Sequence, residues 1–138
     1  MGGAVMHKWF HENFSTGLAW LSAKNNYSRS LAVTSMVGHI IGLGDRHLEN
    51  IQICRKYGQV VHIDLNMIFD RGLNLPVPEV VPFRMTPTMV DGCGVAGLNG
   101  HFRKTAIFTL RLAQNKKEIL RRVISVFLGI TSRICIVY

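Results

Sequence analysis

The stretch from about Ser28 to Gly44 does most to limit the folds open to this chain. Leu31, Met36, Val37, Ile40 and Ile41 form a wide apolar face with few charges after Arg29, which predicts a helix from about Ser28 to about Ile41. A helix that is apolar nearly all round is a buried one. Gly42 and Gly44 end it, and the polar cluster Asp45 to Asn50 follows as a loop. Ile51 to Cys54 and Val60 to Ile63 then read as two short strands, joined by a turn containing Lys56-Tyr57-Gly58-Gln59. Helix, loop and hairpin in that order put the polar loop beside the end of the second strand.

Upstream, Met6 to Phe14 and Thr16 to Ala23 show short helical patterns built on Trp9, Phe10, Phe14, Leu18, Trp20 and Leu21, with Gly17 and Asn25-Asn26 as punctuation. Downstream, Leu65 to Pro82 has no sustained period and carries Gly72, Pro76, Pro78 and Pro82, as long functional loops do. Thr86-Pro87 is a hydroxyl cap followed by a first-turn proline, opening a helix through Thr88 to Asp91. The glycines from Gly92 to Gly100 read as turns. Two helices follow, about His101 to Gln114 and about Lys116 to Leu128; in the second, Ile119, Leu120, Val123, Ile124, Phe127 and Leu128 repeat as a core stripe.

A length of 138 residues with 48% hydrophobic content suffices for one domain with a substantial core. Only 17% of residues are charged, low for a domain wetted on every side, so the chain reads as part of something larger. The N-terminus has neither a signal peptide's pattern nor a myristoylation signal, since Met6 stands where Ser or Thr is needed. The apolar runs Leu31 to Leu43 and Val123 to Val137 are interrupted by His39 and Arg133 and fall short of the roughly 20 residues of a span, so no membrane contact is expected. Cys54, Cys93 and Cys135 lack metal-binding or disulfide spacing, which fits a reducing, intracellular setting.

The formal charge of +8 is concentrated at the end: Arg103, Lys104, Arg111, Lys116, Lys117, Arg121, Arg122 and Arg133 stand against Glu118 alone. Such a block can meet nucleic acid or acidic lipid, but its helical spacing beside an apolar stripe favours a solvated helix face.

Phosphoryl transfer needs a group to orient or accept the attacking hydroxyl's proton, and oxygen ligands to hold Mg²⁺ against the nucleotide phosphates. Protein kinases place an aspartate and, five positions on, an asparagine in one loop, with a metal-binding aspartate after a strand. Here Asp45 and Asn50 have that spacing and Asp64 follows Val60 to Ile63, while Asp45-Arg46-His47 reverses the usual His-Arg-Asp order. Each residue also has a plain structural reading. Asp45 could cap the following turn, Arg46 could serve a nearby carboxylate or carbonyl, and His62 could be a satisfied core histidine. His7, His11 and His39 suggest no function, and Gly42-Leu43-Gly44 is turn geometry, since it follows a helix and lacks the third glycine of a phosphate loop.

The run Ser35 to His47, with His62-Ile63-Asp64, Val81-Pro82-Phe83-Arg84-Met85-Thr86 and Gly97-Leu98-Asn99-Gly100-His101-Phe102-Arg103, resembles the phosphatidylinositol 3-kinase superfamily, and within it the PI3-kinase-related protein kinases (PIKK). Asp64-Leu65-Asn66 is most similar to the ATR-type checkpoint kinases and to the nonsense-mediated-decay kinase, and Tyr27-Ser28-Arg29-Ser30-Leu31-Ala32-Val33 favours the ATR type. The resemblance covers about residues 6 to 128. It implies a mainly α-helical α+β fold, the C-terminal lobe of a PI3/PI4-kinase-like catalytic domain over residues 1–128, with a short β-hairpin at the active site, a catalytic loop at 42–51 and an activation loop at 64–84.

The resemblance further implies that Asp45 is the catalytic base, His47 a stabiliser of the transferring phosphoryl group, and Asn50 and Asp64 the Mg²⁺ ligands at the ATP site. It implies a nuclear setting, protein substrates with Ser or Thr followed by Gln, a regulatory subunit in the parent kinase, and at most indirect DNA contact. With only Arg71, Asp70 and Glu79 charged, Leu65 to Pro82 suits a peptide better than an anionic lipid head group.

Two departures stand out. The residues before Asp45 read as helices without the glycine-rich hairpin and lysine of an N-terminal lobe, so the chain alone is expected to be inactive, and residues 129–138 diverge as a tail. Rival readings are a non-catalytic interaction module and a metal-dependent phosphohydrolase using His47, His62 and Asp64.

Overall fold

The computed structural model describes residues 5–134, with side chains through Gly129. Its organising element is α2 (Gly17–Ile40), preceded by α1 (Met6–Asn13). α2 is one helix of 24 residues, which corrects the expectation of two segments parted at Asn25-Asn26. Thr16 caps it, its hydroxyl accepting from the Ala19 N–H at 3.2 Å. Ala23, Lys24, Tyr27, Ser28, Leu31, Ala32, Ser35 and Met36 are all buried, a stripe at helical spacing that runs straight past the asparagines. Burial of that stripe outweighs the weak helix propensity of two asparagines. Asn26 instead faces outward and donates to the Tyr57 carbonyl at 3.1 Å.

The helix is not wrapped all round, a second correction. Val33, Val37 and Ile40 remain about 40% exposed on the side away from the stripe.

Around α2 lie α3 (Pro87–Gly92), α4 (His101–Asn115) and the antiparallel hairpin of β1 (Ile51–Ile53) and β2 (Val60–His62), paired in the register Ile51↔His62 and Ile53↔Val60. Phe10, Ala23, Tyr27, Leu31, Ala32, Met36, Val60, Met89, Phe102 and Ala106 form the core. Phe10 meets Tyr27 edge-on at 5.4 Å between ring centroids, and the Tyr27 hydroxyl donates to the Met89 carbonyl at 3.4 Å. Gly92 lies flat against Tyr27, where an added Cβ would come within 2.5 Å of the ring. It is a packing glycine at the end of α3, rather than a turn.

The hairpin is fastened to α2 by polar contacts: the Ser30 hydroxyl accepts from the Val60 N–H at 2.8 Å. Thr86 caps α3 by accepting from the Met89 N–H, with Pro87 in the first turn, as the sequence predicts. α5 (Lys117–Ile134) continues beyond Leu128 into the expected tail, whose residues 135–138 lie outside the described residues.

The apolar stripe of α5 is not a core stripe. Ile119, Val123 and Val126 are 58%, 62% and 63% exposed, because α5 packs only sparsely against the rest of the described residues. Phe127 reaches Phe69 at 6.1 Å. The basic residues Arg103, Lys104, Arg111, Lys116, Lys117, Arg121 and Arg122 are solvent-exposed, as a solvated face requires; Arg133 lies outside the described side chains. Cys54 and Cys93 are free thiols, and Cys135 is outside the described residues. Among the described residues, no helix is long and apolar enough to cross a membrane.

Candidate functional site

α2 is followed by its cap Ile41 and by Gly42, the latter in the left-handed region at φ 59°, and the polar loop descends to the base of the hairpin. The turn geometry expected of Gly42 is present. Leu48–Asn50 forms a short 3₁₀ turn, and the Ile63 N–H donates to the Asn50 carbonyl at 3.0 Å, extending the hairpin by one rung.

Arg46 joins the two halves. Its side chain is buried and donates to backbone carbonyls on both: Nε to Gly44 at 2.8 Å, Nη1 to Ile63 at 2.7 Å and more distantly to Asn50 at 3.5 Å, and Nη2 to Asp64. The carbonyl-binding reading of Arg46 is therefore the observed one. Burial lowers the guanidinium's pKa, opposed by the charges of Asp45, Asp64 and Glu79. Those three carboxylates share its neighbourhood.

Asp45 is half-buried and left-handed at φ 56°; its carbonyl accepts from Asn50 Nδ2 at 2.8 Å, so the side-chain amide of Asn50 holds the backbone five residues earlier. Asn50 itself is buried, with its Nδ2 engaged and Oδ1 left as the group that can meet a cation. Asp64 is exposed, left-handed at φ 53°, and its Oδ1 accepts from the Asn66 N–H at 3.3 Å. His47 is exposed. Its Nδ1 accepts from the Glu49 N–H at 3.2 Å and its Nε2 lies 4.0 Å from Asp45 Oδ2. The four candidate residues thus converge on one end of the hairpin, although Asp45 does not cap the turn with its side chain.

His62 corrects one expectation: it is half-buried but unsatisfied, since its Nδ1 is buried with no hydrogen-bond partner. Burial, and then the nearby Arg46 charge, lower its pKa. His47, His62 and Asp64 do not assemble as a metal-binding group of three, and no cluster of that kind occurs among the described residues, which removes the geometric support for a phosphohydrolase.

The 64–84 segment folds back against the glycine shoulder. The Gly44 N–H donates to Met67, Phe69 to Ile41 and Asp70 to Gly42, at 2.7, 2.8 and 3.0 Å. Glu79 then reaches in, its Oε2 accepting from the Asp45 N–H at 2.7 Å. Sequence reading missed this residue, counting it only as a loop charge, and nothing in its local pattern marks it. A cavity of about 380 Å³ opens between shoulder and segment, lined by residues including Leu43, Leu73, Val80, Val81 and Pro82.

With this geometry in view, the likeness to known proteins is informative. The family description "Phosphatidylinositol 3- and 4-kinase" matches residues 3–132. The chain belongs to the phosphatidylinositol 3- and 4-kinase family. Within the family it is similar to serine/threonine-protein kinase MEC1 of Candida glabrata, at 48% identity over 120 residues, and to serine/threonine-protein kinase ATR of Oryza sativa, at 48% over 124 residues. The alignments take in 87% and 90% of this chain and 5% of either relative, so the chain spans a small part of their length. A solved structure titled "FAT and kinase domain of CtTel1" superposes with a TM-score of 0.80 at 46% identity, covering 81% of this chain and 8% of that one. The described residues are mainly helical with one small antiparallel sheet, which is the fold the resemblance implied.

Proposed function

We propose that the chain is the C-terminal-lobe segment of a serine/threonine protein kinase that transfers the ATP γ-phosphate to protein hydroxyls, in DNA-damage checkpoint signalling. The observation that carries this reading is the Arg46 guanidinium, which ties Gly44 and Asn50 to Ile63 and Asp64 and so assembles one polar site from two distant runs.

In this reading Asp45 accepts the proton of the substrate hydroxyl. Asn50, through Oδ1, and Asp64, through its carboxylate, would hold Mg²⁺. Both are hard oxygen donors, and Mg²⁺ is commonly held by one or two protein carboxylates together with substrate phosphates. Bound MgATP would supply the phosphoryl group, the metal neutralising the charge that develops on it. His47 engages the Glu49 N–H through Nδ1, leaving an Nε2–H beside Asp45 to donate to a phosphoryl oxygen. The 64–84 segment is the activation loop. Its sparse positive charge, and the Asp70 and Glu79 carboxylates that line the cavity beside Gly44, favour a peptide over an inositol phosphate.

Similarity to MEC1 and ATR supports the checkpoint role. A nuclear setting, Ser/Thr-Gln substrates and a regulatory subunit are expected from the resemblance. The nonsense-mediated-decay type shares Asp64-Leu65-Asn66 and is the second reading.

The test is ATP-dependent phosphorylation of Ser-Gln peptides by the full-length polypeptide that carries this segment. Asp45→Ala should lower kcat roughly 10²–10⁴-fold. Full activity in Asp64→Ala would sink the metal assignment.

A further inference from the structure

Asp45 is held in a backbone region that a non-glycine residue occupies only when its surroundings insist. At φ 56° it is left-handed, a region that aspartate enters more readily than most residues but still uncommonly. Both of its peptide groups are held by side chains: Asn50 Nδ2 donates to its carbonyl at 2.8 Å, and Glu79 Oε2 accepts from its N–H at 2.7 Å. Asn50 belongs to the same loop. Glu79 comes from the segment 34 residues on, so it is the contact through which that segment reaches the backbone of Asp45.

The approach is built for a carboxylate. Gly44 and Gly72 flank Glu79, and a Cβ on either would lie 2.7 or 2.9 Å from Oε2. Neither glycine needs a left-handed backbone, so the close approach is the constraint at both. The Glu79 N–H also donates to the Gly72 carbonyl at 3.2 Å, which fixes the side chain's origin. A hydrogen bond from a backbone N–H to an ionised acceptor is among the stronger ones available.

We infer that Glu79 is a positioning residue that holds Asp45 in its left-handed conformation, so that the base is aimed correctly only while the 64–84 segment is docked. The inference rests on the reading of Asp45 as the base, and the experiment separates the two.

In the full-length polypeptide, Glu79→Ala should lower kcat roughly ten- to a hundredfold, the loss of one hydrogen bond to a charged acceptor. KM for ATP should stay within about twofold, since no nucleotide contact is lost. Glu79→Gln keeps an acceptor oxygen and should recover most of the loss. Gly72→Ala leaves Glu79 intact but fills its notch, and should reproduce part of the defect; it carries the test if Glu79→Ala does not fold. Wild-type kcat in Glu79→Ala beside an inactive Asp45→Ala would overturn the inference and leave the base assignment standing. An active Asp45→Ala would overturn the base assignment, and with it the catalytic part of the inference. The contact itself is read in the 138-residue chain by NMR: the Asp45 amide proton should move upfield in Glu79→Ala, and an unmoved resonance would show that the bond does not form.

Discussion

Arg46 shows how one side chain can turn a sequence motif into a site. Its bonds reach the carbonyls of Gly44, Ile63 and Asp64, and more distantly that of Asn50, which already accepts from the Ile63 N–H. Lysine carries the same charge but cannot span those oxygens with a planar fork. Arg46→Lys should therefore destabilise the chain by about 2–4 kcal/mol, because the buried guanidinium's part-buried bonds to these carbonyls are lost. A urea titration would show a lower midpoint with an unchanged slope. An unchanged midpoint would mean that the carbonyls find water instead.

Among the elements, α2 decides the arrangement of the others, and α1 is tied to α3 by a separate contact. Asp91 Oδ2 accepts from the His7 N–H at 2.9 Å, and the His7 ring Nδ1 lies 2.9 Å from the same oxygen. Burial alone would raise the Asp91 pKa, but the bonds from His7, with the charges of His7 and Lys24, more than reverse this and hold it below the ordinary carboxylate value. A carboxyl whose pKa is lowered on folding binds its proton more readily in the unfolded chain. Its stabilisation is complete above the unfolded pKa of about 4 and is lost as pH falls through the folded value. Asp91→Asn should flatten the pH dependence of stability below about pH 4 and lower stability at neutral pH. Thermal melts of the two chains across pH 2.5 to 7 would check both, and parallel curves would refute the linkage.

For the molecule as a whole, the notable feature is how much apolar surface faces outward: Val33 and Val37 on α2, Ile119, Val123 and Val126 on α5, and Val80 and Val81 in the 64–84 segment. Where exposed apolar residues adjoin, they mark contacts with other protein layers. The polar site is likewise one-sided. In the proposed function Asp45, His47, Asn50 and Asp64 would meet a metal and a phosphoryl group, but gripping the far phosphates needs a covering loop and a lysine. The 138-residue chain by itself should bind MgATP more weakly than micromolar and show no turnover. Isothermal calorimetry giving a micromolar Kd would disprove this.

The spacing of Asp45, Asn50 and Asp64, the Thr86-Pro87 cap and the hairpin are local features, and local patterns are what a sequence records directly. Family membership and the neighbourhood of the site were legible from them. The continuity of α2 was not, because Asn25-Asn26 are poor helix formers whose placement depends on a buried stripe formed with residues far along the chain. Nor was the exposure of α5, whose periodic pattern is the same whether or not a layer covers it. The motif from Gly42 to Asn50 was determined by the sequence alone as a set of chemical groups. The tertiary structure decided how those groups are held: Arg46 bridging 17 and 18 residues to Ile63 and Asp64, and Glu79 reaching back 34 residues to the Asp45 amide. Bonds between a side chain and a distant backbone leave no spacing rule in the sequence, since any backbone group can serve and only the fold determines which one is near.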